Sequence, residues 1–211
     1  MMLVVGLGNP GRKYAQTRHN VGFDVIVRLC DRWGISVAGR KLFGALVSDG
    51  THRGEAAILG RPQQYMNRSG QPVASIMGHL KLPAERVVVV HDDMGLSPGT
   101  IRLRSGGGHG GHNGLRDLIA HIGRDFLRVR VGIGRPDEGQ DPADFVLGKW
   151  AESEQSWLPG SIATGSDAVE MILSEGLIAA MNRFNVRDKP ARAANHGVKS
   201  NNPVPDSGAL E

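Results

Sequence analysis

A run of valines at residues 87–90 constrains the fold more than any other feature of this sequence. Successive side chains of a strand point to opposite faces of a sheet, so a strand of this composition must be covered on both faces. Apolar segments at residues 3–8, 100–104 and 127–134 predict further strands, and helical periodicity lies between several of them. We therefore predict a single α/β domain with a mixed central β-sheet covered by helices on both faces.

Three amphipathic helices and a helical C-terminal region are predicted around these strands. Apolar side chains at every fourth position over residues 21–33 predict the first helix, with Asn20 as its cap. A second helix is expected after Ser69, and a third is expected to be capped by Asn113. The segment 151–183 is also predicted to be helical.

The chain has the length of one large domain, and its composition changes only near the C-terminus. Residues 42–60 alternate loosely and predict two strands joined near Asp49 and Gly50. From residue 188 onwards Asn, Pro, Ser, Ala and Lys prevail. We predict a folded domain over residues 1–187 and a loosely held basic and polar tail over residues 188–211.

Cysteine content and hydropathy indicate the compartment. The single cysteine, Cys30, excludes an internal disulfide and fits a reducing environment. The N-terminal MMLVVGLGNPG carries no basic leader, and no apolar run approaches the ~20 residues that a membrane helix needs. We therefore expect a cytoplasmic protein without a membrane attachment.

Positive charge is concentrated in one segment of the chain. The whole sequence carries a formal charge of +4, whereas residues 100–135 alone hold seven arginines against two aspartates, a net +5. Such a run can simply be a solvated surface. Because arginine binds phosphate oxygens through a planar fork, a polyanion is the candidate partner.

The N-terminal GLGNPG matches the G-x-G-x-x-G pattern of dinucleotide-binding proteins. In those proteins the N-terminus of a helix that follows the loop at once holds the pyrophosphate. Here Pro10 lies inside the turn, and the next helix is not expected before about Asn20. We therefore expect no nucleotide cofactor.

His19 directly precedes the predicted start of the first helix. The positive end of a helix dipole disfavours an imidazolium, so we expect the pKa of His19 to lie below the usual ~6.5 and the neutral ring to accept a proton. The alternative is a solvent-facing histidine without a role. The one G-x-S-x-G match, GLSPG (95–99), leads into the predicted strand 100–104 and not into a helix, so no serine or cysteine lies in a nucleophile elbow. A hydrolase built on this chain would therefore use water as nucleophile and histidine as base.

Polar side chains follow the predicted strands, at the edge where α/β proteins bind ligands. Residues 91–93, His-Asp-Asp, follow the valine strand, where a carboxylate could orient a histidine or cap the next turn. Asn9, Asn67 and Asn113 lie at strand ends or before helices, so each could be a turn or cap residue. Together their amides would suit recognition of peptide groups or support of an oxyanion.

A metal site is a weaker interpretation of the same region. His109 and His112 could form a ligand pair, with Asp92 or Asp93 as the third ligand. The two glycines between the histidines make a poor rigid chelate, and no second cluster supports the site. We therefore expect no metal.

Five motifs together resemble the bacterial peptidyl-tRNA hydrolase family. They are GLGNPGRKYAQTRHNVGF (6–23), QYMNRSG (64–70), VVVHDDM (88–94), SGGGHGGHNGLRD (105–117) and RVRVGIGRP (128–136). The resemblance covers about residues 1–185. It implies a monomeric, cofactor-free α/β domain that hydrolyses the ester between a peptide and the 3′ end of tRNA, which recycles tRNA from abandoned translation.

The resemblance also implies roles for individual residues. The histidine matching His19 accepts a proton from water, and the aspartate matching Asp92 supports its basic form. Asn9 matches the residue that helps to separate N-blocked from free aminoacyl-tRNA. The other matches contact the substrate or line its crevice (Tyr14, Tyr65, Met66, Asn67, His112 and Asn113) or clamp the 5′ phosphate of the tRNA (Arg104 and Arg130).

Three residues depart from the family pattern, and other functions stay open. Tyr65 stands where phenylalanine is usual, Arg104 replaces a frequent lysine, and Gly95 stands where an acid is common. An RNA-binding relative that has lost the activity is the main alternative, but it would have no need of His19, Asp92 and the asparagines together. A metal-dependent esterase is a third possibility.

Overall fold

A seven-stranded mixed sheet forms the centre of the computed structural model, which describes residues 1–185. The strands are β1 (Met2–Gly6), β2 (Arg40–Leu42), β3 (Ala45–His52), β4 (Glu55–Pro62), β5 (Val87–Asp93), β6 (Ile101–Ser105) and β7 (Leu127–Gly132). The helices are α1 (Val21–Arg32), α2 (Gly70–Leu80), α3 (Asn113–Ile122), α4 (Pro142–Leu147), α5 (Leu158–Glu175) and α6 (Leu177–Phe184). Short 3-10 turns precede several of these elements, including Arg18–Asn20 before α1 and Met66–Arg68 before α2.

The strand order is β2-β3-β4-β1-β5-β7-β6. The inner strands β4, β1, β5 and β7 are parallel to one another. Antiparallel strands complete both edges, with β3 and β2 beyond β4 and β6 beyond β7. The predicted mixed α/β sheet is confirmed.

Each face of the sheet packs on its own set of helices. Val88 and Val90 lie in the core that contains α1 and α5, whereas Val87 and Val89 lie in the core that contains α2 and α3. All four side chains are fully buried. The prediction from the valine run, a sheet covered on both faces, is therefore confirmed.

A crevice opens where the chain leaves neighbouring parallel strands towards opposite faces. From β1 the chain continues to α1 on one face, and from β5 it continues through β6 to α3 on the other. In open α/β sheets such a point lies outside the carboxyl ends of the strands and is where ligands bind. The topology brings Asn9, three residues after β1, and Asp92, near the end of β5, to this crevice.

Several local expectations were wrong. β3 and β4 are joined at Arg53 and Gly54, where both residues have positive φ, rather than near Asp49 and Gly50, which lie inside β3. The short strand β2 and helix α4 had no clear signal in the sequence. Asn20 precedes α1 but makes no side-chain hydrogen bond to that helix, because its amide is used elsewhere.

Two further expectations concern the C-terminal tail and membrane-spanning helices. The predicted tail, residues 188–211, and its boundary at residue 187 lie outside the described residues. Within residues 1–185, no helix combines the length and the apolar character needed to cross a membrane.

We predict that Gly22→Ala destabilises the fold, because α1 approaches the sheet backbone closely there. A Cβ atom on Gly22 would lie 2.4 Å from the carbonyl oxygen of Val90 and 2.6 Å from the backbone nitrogen of Leu7. Overpacking of this kind costs about 1–3 kcal/mol. Gly78→Ala on α2 is the matched control, since its Cβ would meet no atom within 4 Å.

Urea denaturation of both variants measures the effect. Gly78→Ala should gain up to about 1 kcal/mol from helix propensity. Equal free energies of unfolding for the two variants would contradict the proposed close approach of α1 to the sheet.

Candidate active site

A cavity of about 1070 Å³ lies at the carboxyl edge of the parallel strands. The 3-10 turn before α1 contributes His19, the end of β5 contributes Asp92, and the glycine-rich loop before α3 contributes His112. Every site residue predicted from the sequence lines this one cavity: Asn9, Tyr14, His19, Tyr65, Met66, Asn67, Asp92, Arg104, His112, Asn113 and Arg130.

His19 and Asp92 form a buried pair across the crevice. The Nδ1 atom of His19 is 3.0 Å from Oδ1 and 2.9 Å from Oδ2 of Asp92. When Nδ1–H donates to a carboxylate, the tautomer is fixed and the lone pair is left on Nε2. Because the side chain lines the cavity, Nε2 is the nitrogen that can take a proton from a bound molecule.

Charge and burial have opposite effects on the pKa values of His19 and Asp92. Burial alone would raise the pKa of Asp92, but the charges and hydrogen bonds of His19 and His112 hold it well below its usual range. Burial would lower the pKa of His19, yet the charge and hydrogen bond of Asp92 outweigh it, so the pKa of His19 is raised above the usual 6.5. The expectation of a lowered pKa from the helix dipole was therefore wrong, because a carboxylate in contact acts more strongly than the helix start.

His112 contacts the same carboxylate and also caps α3. Its Nε2 atom is 3.0 Å from Oδ1 of Asp92. Its Nδ1 atom accepts hydrogen bonds from the backbone N–H of Gly114 at 3.1 Å and of Leu115 at 3.3 Å. The expectation that Asn113 caps this helix was wrong, since Asn113 is its first residue and lines the cavity.

The histidines around Asp92 fit a hydrogen-bonded cluster better than a metal site. Among residues 1–185, only His19, Asp92 and His112 bring three possible ligand atoms within 4.8 Å of one another. A metal would need the lone pair of His112 on Nε2, but the backbone of α3 already uses the single lone pair of the neutral ring on Nδ1. His109, the other histidine weighed as a metal ligand, accepts from Gly111 N–H instead.

Asn9 is held in one orientation by three hydrogen bonds. Its Oδ1 atom accepts from the backbone N–H of Met66 at 2.7 Å. The side chain of Asn20 accepts from the backbone N–H of Asn9 at 2.8 Å and donates to its carbonyl at 2.9 Å. With Oδ1 engaged, the Nδ2 group of Asn9 is the part of this amide left for a ligand in the cavity.

The remaining predicted contact residues lie on the open side of the cavity. Tyr65 is 59% exposed, and its ring meets that of Tyr14 edge-on at 6.2 Å between centroids. Asn67 and Asn113 are also exposed, whereas Met66 is buried beneath them. Amide and aromatic groups are thus accessible around the buried His19–Asp92 pair, as a peptide-like ligand would require.

The arginines of residues 100–135 do not form one uniform basic surface. Arg104 is exposed, and Arg130 is half-buried with its Nε 2.7 Å from Oδ2 of Asp93. Arg128, opposite Arg104 in the sheet, is 2% exposed and donates to the carbonyls of Gly107 and Gly108. Burial, with the nearby arginines, lowers the pKa of Arg128 to about 10. The prediction that the arginines of this segment bind a polyanion was therefore wrong for Arg128.

The sequence did not indicate the supporting roles of four residues. Asn20 fixes Asn9, Asp93 pairs with Arg130, Arg128 holds the glycine-rich loop, and His91 lies buried beneath His112. Alternation along β5 and β7 could have indicated that Arg128 lies on the same face as Arg130. Nothing in the local sequence distinguishes Asn20 from an ordinary helix cap.

These features define a class of α/β proteins in which a buried histidine–aspartate pair opens into a cleft at the carboxyl edge of a mixed sheet. The sequence matches the peptidyl-tRNA hydrolase family over residues 3–193. The chain belongs to the peptidyl-tRNA hydrolase family.

Individual relatives agree with this assignment. A peptidyl-tRNA hydrolase of Synechococcus sp. (strain JA-2-3B'a(2-13)) is 44% identical over 209 residues, which cover 99% of this chain and 92% of the relative. One from Acinetobacter baumannii (strain AB0057) is 43% identical over 189 residues, 90% of this chain and 97% of the relative. A crystal structure of a peptidyl-tRNA hydrolase in complex with N-propanol superposes with a TM-score of 0.83 at 41% identity, covering 90% of this chain and 97% of that one.

We predict that Asp92→Asn lowers the pKa of His19. The neutral amide cannot stabilise an imidazolium, so burial becomes the dominant influence on the ring. Loss of an adjacent charge shifts a pKa by about 1–3 units. NMR titration of the His19 ring, assigned by the signal that disappears in His19→Gln, measures the change.

In the unaltered protein the midpoint should lie above 6.5, and in Asp92→Asn it should fall below that value. The signals of the other histidines report whether the variant keeps its fold. An unchanged midpoint for His19 would show that Asp92 does not control its protonation.

Proposed function

We propose that this protein hydrolyses the ester bond between a peptide, or an N-blocked amino acid, and the 3′ end of tRNA, and so releases free tRNA. The observation that carries the proposal is the buried His19–Asp92 pair, whose free Nε2 lines a cavity surrounded by amide side chains. Family membership gives the substrate class, because the relatives named above are peptidyl-tRNA hydrolases.

His19 acts as the general base in the proposed reaction. Its Nε2 takes a proton from a water molecule as the water oxygen attacks the ester carbonyl. Asp92 keeps the proton on Nδ1 and stabilises the imidazolium that forms. The tetrahedral intermediate then collapses, the 3′ oxygen of the tRNA leaves with the proton from His19, and the peptide is released as a carboxylic acid.

The asparagines recognise the peptide part of the substrate. Asn67 and Asn113 hold the peptide and the oxyanion that develops during attack. Asn9 offers an N–H donor because its Oδ1 is bound to Met66 N–H. A donor suits the carbonyl group of an N-blocked residue and not the ammonium of a free aminoacyl-tRNA, which is itself a donor.

Arg104 and Arg130 bind the phosphate of the tRNA acceptor stem. Both side chains line the cavity, and Arg104 is exposed to solvent. Asp93 holds Arg130 through its Nε, so the terminal nitrogens of that guanidinium remain for a phosphate. We expect a monomer that acts in the cytoplasm without a cofactor.

An RNA-binding relative without activity is the second candidate. The hydrogen-bonded His19–Asp92 pair favours the enzyme, because the carboxylate beside the histidine repels phosphate and orients the ring with a lone pair on Nε2, as a general base requires. A metal-dependent esterase would lose its activity on chelation, whereas the proposed reaction would not.

We predict that the protein cleaves N-acetylaminoacyl-tRNA but not free aminoacyl-tRNA, and that His19→Ala loses this activity by at least ~10²–10⁴-fold. Release of tRNA from both substrates, by the unaltered protein and by His19→Ala, measures the substrate preference and the loss of activity. Circular dichroism checks that His19→Ala keeps its fold. Binding of the blocked substrate without turnover by the unaltered protein would favour the RNA-binding alternative, and near-full hydrolysis by His19→Ala would rule out the proposed base.

We predict that KM for a whole tRNA substrate rises steeply with salt, whereas KM for a minimal CCA-length ester changes little. Each phosphate contact contributes a slope of about 0.7–0.9 in log KM against log salt concentration. Arg104→Gln should lower the slope for whole tRNA by about that amount. Arg53→Gln, at the exposed turn between β3 and β4, is the matched control and should leave the slope unchanged.

A further inference from the structure

We infer that His112 is a positioning residue that limits the basicity of His19, because it donates a hydrogen bond to the carboxylate that both histidines share. The inference rests on the proposed function for its catalytic consequence. Its structural part concerns only the protonation of His19 and can be measured without any substrate.

The hydrogen bonds of His112 define its tautomer. Two backbone N–H groups, those of Gly114 and Leu115, point at Nδ1, so this nitrogen must carry a lone pair. A neutral ring with a lone pair on Nδ1 carries its proton on Nε2. The contact of 3.0 Å between Nε2 and Oδ1 of Asp92 is therefore a donated N–H···O hydrogen bond.

The same contacts hold the ring of His112 in one orientation. Its Nδ1 atom caps the start of α3, and the side chain is only 8% exposed. The carboxylate of Asp92 therefore receives one hydrogen bond, from Nε2–H of His112, that does not depend on the state of His19.

Asp92 divides its charge between the two histidines. Its Oδ1 atom lies 3.0 Å from the nitrogens of both rings, and its Oδ2 atom contacts His19 alone at 2.9 Å. A hydrogen bond from His112 draws electron density towards Oδ1 and weakens the attraction between the carboxylate and a protonated His19. The hydrogen bond therefore opposes the rise that Asp92 causes in the pKa of His19. As a result, the His19 ring stays unprotonated down to a lower pH.

The other titratable groups near His112 come from β5, the glycine-rich loop and the turn before α1. On β5, His91 meets the ring edge-on at 5.2 Å between centroids, and its own pKa is lowered to about 3 by burial and by His112, so it is neutral. On the glycine-rich loop, His109 accepts from Gly111 N–H and offers its backbone carbonyl to His112 N–H. From the turn before α1, only the His19 ring approaches, at 4.8 Å between centroids. Asp92 is therefore the charged group that His112 contacts.

The test separates the donor role of His112 from its capping role. Asparagine is among the best helix caps, and its shorter side chain cannot cap α3 and reach Asp92 at once. His112→Asn therefore keeps the cap and removes the donor. His112→Ser does the same and serves as a second variant if the first does not fold. His109→Asn on the same loop is the matched control.

The measurements are an NMR titration of His19 and the pH profile of kcat/KM on N-acetylaminoacyl-tRNA. We expect the pKa of His19 and the acid limb of the profile to move up together by about 0.5–1 unit in His112→Asn, and to stay in place in His109→Asn. At a pH one unit below the new pKa, a shift of one unit corresponds to a loss of about fivefold in kcat/KM, and this loss should vanish at high pH.

Three results would overturn the inference. They are a loss of activity that is equal at every pH, a shift of the His19 titration to lower pH, or an unchanged titration in both capping variants. If no ester is hydrolysed at all, the proposed function fails. The NMR titration of His19 then still decides the role of His112.

Discussion

A carboxylate that is removed from water stays ionised only when hydrogen bonds and opposite charge replace its hydration. Asp92 is 3% exposed, and both of its oxygens are occupied by the imidazole rings of His19 and His112. This arrangement makes three parts of the chain depend on one another: the turn before α1, the end of β5 and the start of α3. If His112 left, the carboxylate would lose part of what stabilises its charge, and His19 would change its affinity for a proton.

The sheet topology makes this meeting possible. Since α1 and α3 cover opposite faces, residues before each helix approach the end of β5 from opposite sides. The close approach of α1, where Gly22 lies against the backbone of the sheet, allows the preceding turn to reach Asp92. On the outer side of the cleft, Arg128 holds the glycine-rich loop through two carbonyls, and this loop leads directly to His112. Backbone geometry thus sets the distance between base and carboxylate.

Much of the fold was predictable because it follows from local pattern. The valines of β5 indicated a strand covered on both faces, and the periodicity of α1, α2 and α3 was visible without any long-range information. The members of the site were predictable from the family resemblance, and they line one cavity. The turn between β3 and β4 was misplaced, because Asp49 and Gly50 suit a turn in isolation but pair within a ladder of eight residues. The predicted caps were wrong although asparagine is a good capping residue. The side chain of Asn20 binds the backbone of Asn9, and that of Asn113 lines the cavity.

The sequence by itself determined the alternation of strands and helices and the set of polar residues that could do the chemistry. It did not determine which nitrogen of which histidine carries a proton. That depended on a carboxylate 73 residues from His19 and on two backbone N–H groups at the start of α3. Protonation and pKa follow from the groups at hydrogen-bond distance, and only the tertiary structure brings those groups together. For the same reason, the structure reversed the expected direction of the His19 pKa and made a histidine, not an asparagine, the cap of α3.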